Sequence, residues 1–272
     1  MPELPEVEVT MRGVRPVLEG EVIEDLWHDD KKLREPFSPR LNELIGAKVA
    51  NVSRRAKFIL VGTDKGTLLV HLGMTGHLSI LRSPGERLKH DHFELTMGSG
   101  IVIRYNDARR FGLVAFIPPD TDPLLSDYLK DLGPEPLSDA FTPKVLYEGL
   151  QRHKKSVKQA IMDASVVVGV GNIYASEVLF LSKIRPDRRS DQLSFEECRV
   201  LRENIRSVLA LSISKGGTTI INFQNAEGKM GYFVQNLNVY GHKGEKCPVC
   251  GTPIEEMTLG QRSTYFCPRC QK

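Results

Sequence analysis

The spacing of apolar positions changes twice along the chain. Up to about residue 120 they come in short runs: Phe58-Ile59-Leu60-Val61, Leu68-Leu69-Val70, Phe93-Glu94-Leu95 and Ile101-Val102-Ile103. Turn signals at Asp64-Lys65-Gly66 and Gly98-Ser99-Gly100 separate them, so they predict strands. One helix opens this region, from Glu3 to about Glu19, with Val7, Met11, Val14 and Leu18 along one stripe. The sum is a β-sandwich or barrel with a helix laid against it. Pro118-Pro119-Asp120 and Gly133-Pro134-Glu135-Pro136 interrupt any regular element and mark a linker. Beyond it the period lengthens, and residues 142–152, 155–164, 172–183 and 194–214 predict helices. Thr142-Pro143 reads as a helix start, and Ser194-Phe195-Glu196-Glu197 as a capping box. From about residue 234 the chain is short, turn-rich and poor in apolar mass. The expected class is α+β: a sandwich over 1–120, a linker over 121–136, a helical domain over 137–233 and a tail over 234–272.

Composition narrows this little. The chain has 272 residues, 40% hydrophobic and 26% charged, as a soluble globular protein would. It has no apolar run of eighteen residues and no basic-then-apolar leader, so the expectation is a cytoplasmic protein with no membrane partner. A net charge of +3 is too small to establish nucleic-acid binding, and local clusters must carry that case.

Cysteine use is more informative. Four of the five cysteines fall in the last 26 residues, as two C-x2-C pairs separated by sixteen residues: Cys247, Cys250, Cys267 and Cys270. That spacing suits one tetrahedral Zn²⁺. Two disulfides are the rival, opposed by cytosolic reduction. Four thiolates leave no open coordination position, so the zinc would be structural. The segment between the knuckles can form a hairpin, and a zinc-stapled hairpin is a rigid platform for aiming Arg262 at a phosphate. Cys198 lies in a predicted helix and reads as an inert thiol.

The start, Met1-Pro2-Glu3, admits two readings. Pro-Glu suits a helix N-terminus. Removal of Met1 would also expose the secondary amine of Pro2, which titrates near ~8 and can form a Schiff base, with Glu3 and Glu6 beside it for proton transfer. Arg54-Arg55-Ala56-Lys57 is either a solvated edge or a phosphate-binding rim with Lys57 aimed into a cleft. Met74, in a Gly-Met-Thr-Gly turn, is a core residue or a side chain that slides into a base stack. His90 and His92 lack an obvious third metal ligand, which favours phosphate or sugar contact. Arg109-Arg110-Phe111 suits exposed bases. Gly169-Val170-Gly171-Asn172 precedes a helix and would let backbone N–H groups approach a phosphate. Arg152-His153-Lys154-Lys155 with Lys158 reads as a basic clamp on a DNA backbone.

Taken in order, these segments resemble bacterial formamidopyrimidine-DNA glycosylases over the whole chain. The matching stretches are Pro2–Glu8, Arg54–Lys57, His71–Met74, Lys89–His92, Arg109–Gly112, Leu132–Leu137, Gly169–Tyr174, Val239–Gly241 and the cysteine tail. The resemblance implies a β-sandwich, a helix–two-turns–helix module and a zinc ribbon, with duplex DNA bound between the domains and the protein acting as a monomer. It implies a bifunctional excision of oxidised purines. Pro2 attacks C1′, Glu3 is the general acid/base, Lys57 serves β-elimination and Arg262 serves δ-elimination. Glu6 supports the amine. Met74, Arg109 and Phe111 fill the gap left by the flipped base, while His90 and Asn172 contact DNA. The Gly-rich stretches Gly216–Thr219 and Glu227–Gly231 suit a lid. Family members commonly carry a basic residue where this chain has His153, so Lys154 is the alternative phosphate ligand. An endonuclease VIII-type enzyme is the nearest rival, and Leu4 stands where that branch usually has Gly. A non-catalytic zinc-ribbon DNA-binding protein is the more distant one.

Overall fold

A computed structural model of the chain describes residues 2–83, 85–217 and 237–272. Met1 and most of the expected lid, Thr218–Thr219 and Glu227–Gly231, lie outside the described residues. The described residues divide into two compact units between Lys130 and Asp131; residues 215–217 rejoin the first, and the cysteine tail belongs to the second.

The first unit opens with helix α1, Leu4–Leu18, whose stripe Val7, Met11, Val14 and Leu18 is buried. Eight strands follow: β1 Ile23–His28, β2 Val49–Arg55, β3 Phe58–Thr63, β4 Gly66–His71, β5 His77–Leu81, β6 Asp91–Met97, β7 Val102–Asn106 and β8 Leu113–Ile117. They form two antiparallel four-stranded sheets, ordered β1-β6-β7-β5 and β2-β3-β4-β8. Inward residues of both sheets, among them Val52, Ile59, Val70, Phe93, Leu95 and Ile103, share one core with the α1 stripe. Three of the expected strands are the interior strands β3, β4 and β6, and Ile101-Val102-Ile103 leads into the fourth, β7.

The second unit holds α2 Pro143–Gln151, α3 Val157–Ile161, α4 Asn172–Leu181 and α5 Phe195–Ser214. The expected caps are realised. The Thr142 hydroxyl accepts from Val145 N–H at 3.2 Å, and Ser194 and Glu197 exchange side-chain and backbone hydrogen bonds at 2.8 and 3.2 Å. Phe141, Leu146, Ile161, Tyr174, Leu179 and Leu201 lie in its core. Strands β9 Glu255–Leu259 and β10 Arg262–Phe266 form the tail hairpin over a small cluster of Phe180, Val239, Ile254, Cys247 and Cys267. No helix among the described residues is long and apolar enough to cross a membrane.

Candidate active site and zinc centre

Pro2 is buried, and Glu3 and Glu6 expose only 2% and 0% of their surface. Two buried carboxylates need hydrogen-bond donors, and the start of a helix supplies unsatisfied N–H groups and a positive dipole end. Glu3 is the N-cap of α1, and its own N–H donates to the Glu6 carboxylate at 2.8 Å. Gly217, at φ +82°, brings its backbone against the same group: a Cβ there would stand 3.2 Å from Glu6 Oε1. Pro2, Glu3 and Glu6 thus form one cluster at the head of α1.

Lys57 occupies the two-residue turn between β2 and β3, where Arg55 faces Phe58. Ala56 takes a left-handed conformation there, φ 53°. Arg54 does not belong to a solvated rim. It is only 9% exposed on its side chain, with Nε donating to Glu8 Oε2 at 2.7 Å and Nη1 to the Ala56 carbonyl at 2.8 Å. Burial alone would raise the Glu8 carboxyl, but hydrogen bonds and charge from Arg54 and Arg12 outweigh it and hold it below its ordinary value.

Met74, Arg109 and Phe111 come together from two loops, β4–β5 and β7–β8. Met74 and Phe111 are 36% and 46% exposed, and the Arg109 guanidinium lies 4.6 Å from the Phe111 ring centre. Arg34, Gly73, Met74 and Phe111 line a cleft of about 230 Å³. The loops touch backbone to backbone at Gly73, where a Cβ would meet Gly112 N at 2.4 Å. Beneath them the buried Asp107 accepts from Thr75 Oγ1, Tyr105 Oη and the N–H groups of Arg109 and Gly112, at 2.5 to 3.3 Å. Asp107, two residues before Arg109 in the sequence, thus anchors both loops. His71 belongs to this frame: burial, with Arg34 and Lys57 adding, pushes its imidazole down to about 3. The neutral Nδ1 accepts the Gly73 N–H at 2.9 Å.

His90 is half-buried, and its carbonyl accepts the Asp107 N–H at 2.9 Å, which places it next to the Arg109 loop. His92 is separate from it. It is 2% exposed and bonded to Asp29 at 2.8 Å and to the Asp107 carbonyl at 3.1 Å, so it supports the loop from below and is no contact residue.

In the second unit Asn172 starts α4 behind Gly171. Its Nδ2 donates to the Ser263 carbonyl at 3.0 Å, next to the exposed Arg262. Lys158 is not part of a solvated clamp: it is 1% exposed, and Nζ donates to Asn172 Oδ1, Ser263 O and Thr264 Oγ1 at 2.7, 3.1 and 2.6 Å. A buried ammonium is tolerated because each of its three hydrogens meets an oxygen. Lys155 pairs with Asp163 at 2.5 Å, while His153 is half-buried and Lys154 exposed. Only part of the basic stretch therefore faces outward. Glu177 was missed altogether. It is 1% exposed and accepts from the N–H groups of Asn238, Val239 and Tyr240 at 2.8 to 3.0 Å, fixing the entry to the ribbon. A lone acid within the apolar stretch Ile173–Leu181 is its sequence signal, since a buried charge must be paired.

The four ribbon sulfurs lie within 4.8 Å of one another, with Cys250–Cys267 at 3.5 Å and Cys247–Cys270 at 3.9 Å. A tetrahedron of sulfurs about 2.3 Å from zinc has edges of about 3.8 Å, whereas a disulfide needs about 2.05 Å. The donor set is a closed zinc site.

Three family descriptions match the chain: the formamidopyrimidine-DNA glycosylase N-terminal domain over residues 1–114, its H2TH domain over 132–224, and a zinc finger found in FPG and IleRS over 244–272. Formamidopyrimidine-DNA glycosylases of Vibrio parahaemolyticus and Photobacterium profundum are 46% and 47% identical over 272 residues, covering 100% of each chain. The crystal structure of the Thermus thermophilus MutM (FPG) protein superimposes with a TM-score of 0.89 at 36% identity, over 99% of this chain and 98% of that one. Lactococcus lactis Fpg in complex with DNA containing an abasic site gives 0.90 at 33% identity, over 99% of both chains. The wild-type Lactococcus lactis enzyme with DNA containing N7-benzyl-Fapy-dG gives 0.91 at 34%, over 100% of both. Matched along its whole length by relatives nearly half identical to it, and carrying the four-thiolate ribbon in place, the chain belongs to the formamidopyrimidine-DNA glycosylase family.

Proposed function

We propose that the protein, a base-excision DNA glycosylase by family, removes oxidised purines such as 8-oxoguanine and formamidopyrimidines from duplex DNA and then cuts the strand through a Schiff base on Pro2. The observation that carries this reading is the cluster at the head of α1: two carboxylates, Glu3 and Glu6, buried beside the residue that becomes the N-terminus when Met1 is removed. The Pro2 nitrogen attacks C1′ of the damaged nucleotide, and the base leaves with the electron pair of the glycosidic bond. Glu3 moves the protons of base release and sugar-ring opening, work for which a positioned acid is worth roughly 10²–10⁴-fold. The iminium left on Pro2 acidifies C2′. Loss of that proton expels the 3′ phosphate, and a second elimination expels the 5′ phosphate. Lys57 serves the first elimination and holds a phosphate; Arg262 serves the second.

Extrusion of the damaged nucleotide costs a few kcal/mol of stacking and pairing. Met74, Arg109 and Phe111, exposed on two loops locked together by Asp107 and Gly73, offset part of that cost by entering the vacated space. His90 contacts DNA beside them. Asn172 and Arg262 grip phosphate in the second unit, joined by His153 or Lys154, and the zinc ribbon holds Arg262 in place. The protein acts as a monomer in the bacterial cytoplasm, with no membrane partner.

Borohydride reduction of the enzyme on an 8-oxoguanine duplex, followed by mass spectrometry, tests the reading. The expected adduct is on Pro2 of a chain lacking Met1, and Glu3→Gln is expected to lose base release while keeping duplex affinity. An adduct on any lysine overturns the assignment. Cleavage of thymine glycol in preference to 8-oxoguanine would place the enzyme in the pyrimidine-directed branch.

A further inference from the structure

Two parts of the first unit have no covalent reason to be in register: the head of α1, with Pro2, Glu3 and Glu6, and the β2–β3 turn that carries Lys57. More than fifty residues of chain separate Glu3 from Lys57. Among the side chains that join α1 to β2, Arg54 is the one that also reaches into the turn itself. Arg54 sits on β2 three residues before Lys57. Its Nε donates to Glu8 Oε2 at 2.7 Å, and Glu8 lies on α1 two residues after Glu6. Its Nη1 donates to the Ala56 carbonyl at 2.8 Å, inside the turn itself. Ala56 is in the left-handed region at φ 53°, which costs an alanine of order 1 kcal/mol and needs support from its surroundings. The pair is shielded, with side-chain exposures of 9% for Arg54 and 13% for Glu8, and Glu8 is fixed further by Arg12 Nε at 2.8 Å. The guanidinium offers Nε and Nη1 as separate donors in a fixed fork, one for each partner; a lysine has a single nitrogen and cannot keep that two-point geometry.

We propose that Arg54 is a positioning residue for the elimination step: through Glu8 and the Ala56 carbonyl it fixes the Lys57 turn relative to the head of α1. The inference rests on the reading above that Lys57 acts in β-elimination. Misplacing a reacting group by an ångström can cost up to roughly a hundredfold in rate. Replacing Arg54 should therefore lower turnover on DNA that already contains an abasic site by a larger factor than it raises the KM for that DNA, since Lys57 also holds a phosphate.

The test compares Arg54→Met, Arg54→Lys, Glu8→Gln, Lys57→Ala and the double variant Arg54→Met/Lys57→Ala on a preformed abasic duplex, with thermal midpoints measured alongside. Arg54→Met is expected to lower kcat roughly tenfold, and Glu8→Gln and Arg54→Lys less. In the Lys57→Ala background the Arg54 substitution should cost nothing further, because its effect passes through Lys57. A merely structural role would lower the midpoint and leave that non-additivity absent. If Arg54→Met does not fold, Glu8→Gln and Arg54→Lys, each combined with Lys57→Ala, carry the same comparison. Additive losses, or unchanged kcat in the folded variants, overturn the proposal. Unchanged kcat in Lys57→Ala overturns the reading of Lys57; a loss in Arg54→Met alongside it would then show that Arg54 acts by another route and overturn the proposal as well.

Discussion

Two hairpins in this protein each end in a cation, and they are held by opposite means. The β2–β3 hairpin carries Lys57 on a turn whose strands place Val52, Ile59 and Val61 in the large core of the first unit. The β9–β10 hairpin carries Arg262 beside a turn with Gly260 and Gln261 both at positive φ, 56° and 62°, and of its strand residues only Thr264 and Phe266 are buried. Apolar burial fixes the first hairpin. The second depends on four sulfurs, the buried Lys158 and a cluster with, among the described residues, three buried apolar side chains besides cysteine. A unit with a core can tolerate losing one contact, whereas a ribbon with almost none folds with its metal or not at all.

The largest expected effect breaks the ribbon alone. Structural zinc in small fingers supplies on the order of 10 kcal/mol, so Cys250→Ala should lose the metal and the hairpin together. Duplex affinity should fall by about a hundredfold or more, an estimate that treats Arg262 and its neighbours as lost together. The first unit should keep its own melting transition. Metal analysis, gel shift and calorimetry on one preparation check this; normal cleavage by a zinc-free variant would remove the ribbon from the mechanism.

The converse change strikes the other hairpin. Ile59 is fully buried in β3, and Ile59→Ala should cost the first unit about 2–5 kcal/mol while zinc stays at one per chain. Loss of metal in that variant would mean that the two regions do not fold independently.

A smaller effect is expected at Lys158. Lys158→Met keeps the length but leaves the oxygens of Asn172, Ser263 and Thr264 without their ammonium, at a cost of about 1–3 kcal/mol. Duplex binding should weaken roughly tenfold with zinc retained, measured by titration at fixed salt. Affinity equal to that of the unaltered chain would show that Asn172 and Arg262 hold their places without it.

The smallest effect is in pH. His71 has a folded value of about 3 against an ordinary 6.5, so the unfolded chain takes up a proton that the folded chain refuses. Its contribution is complete above about pH 6.5 and is lost as pH falls from there toward 3. In the helical unit the Arg188 hydrogen bond holds Glu197 at about 2 against an ordinary 4.5, so its contribution is lost only between those values. Acid should therefore weaken the first unit sooner than the helical core. Melting midpoints between pH 7 and 4 for the parent and His71→Gln check this, and identical slopes would remove His71 as the cause.

The sequence was legible where one residue type can do only one thing. Two C-x2-C pairs pointed to the metal and its geometry, because four thiolates in that spacing suit one tetrahedral ion. The stripe Val7, Met11, Val14 and Leu18 fixed α1, and the capping box at Ser194 fixed the start of α5. Among the eight strands of the first unit, those read from the sequence are the four in sheet interiors. The unread ones, β1, β2, β5 and β8, are the four sheet edges. Strand β4 buries five of its six residues and shows an apolar run, whereas β1 and β2 bury about one in three and look like loop. Charged residues were the opposite case. Arg54 read as a solvated edge or a phosphate rim, Lys158 as part of a DNA clamp, and Glu177 went unnoticed; all three proved to be ties shielded from solvent. A charge announces its chemistry in the sequence but not its partner, and the partners Glu8, Ser263 and the N–H groups of 238–240 lie from 46 to 105 residues away. Only tertiary structure brings them within hydrogen-bonding distance, and only that pairing makes burial of the charge possible.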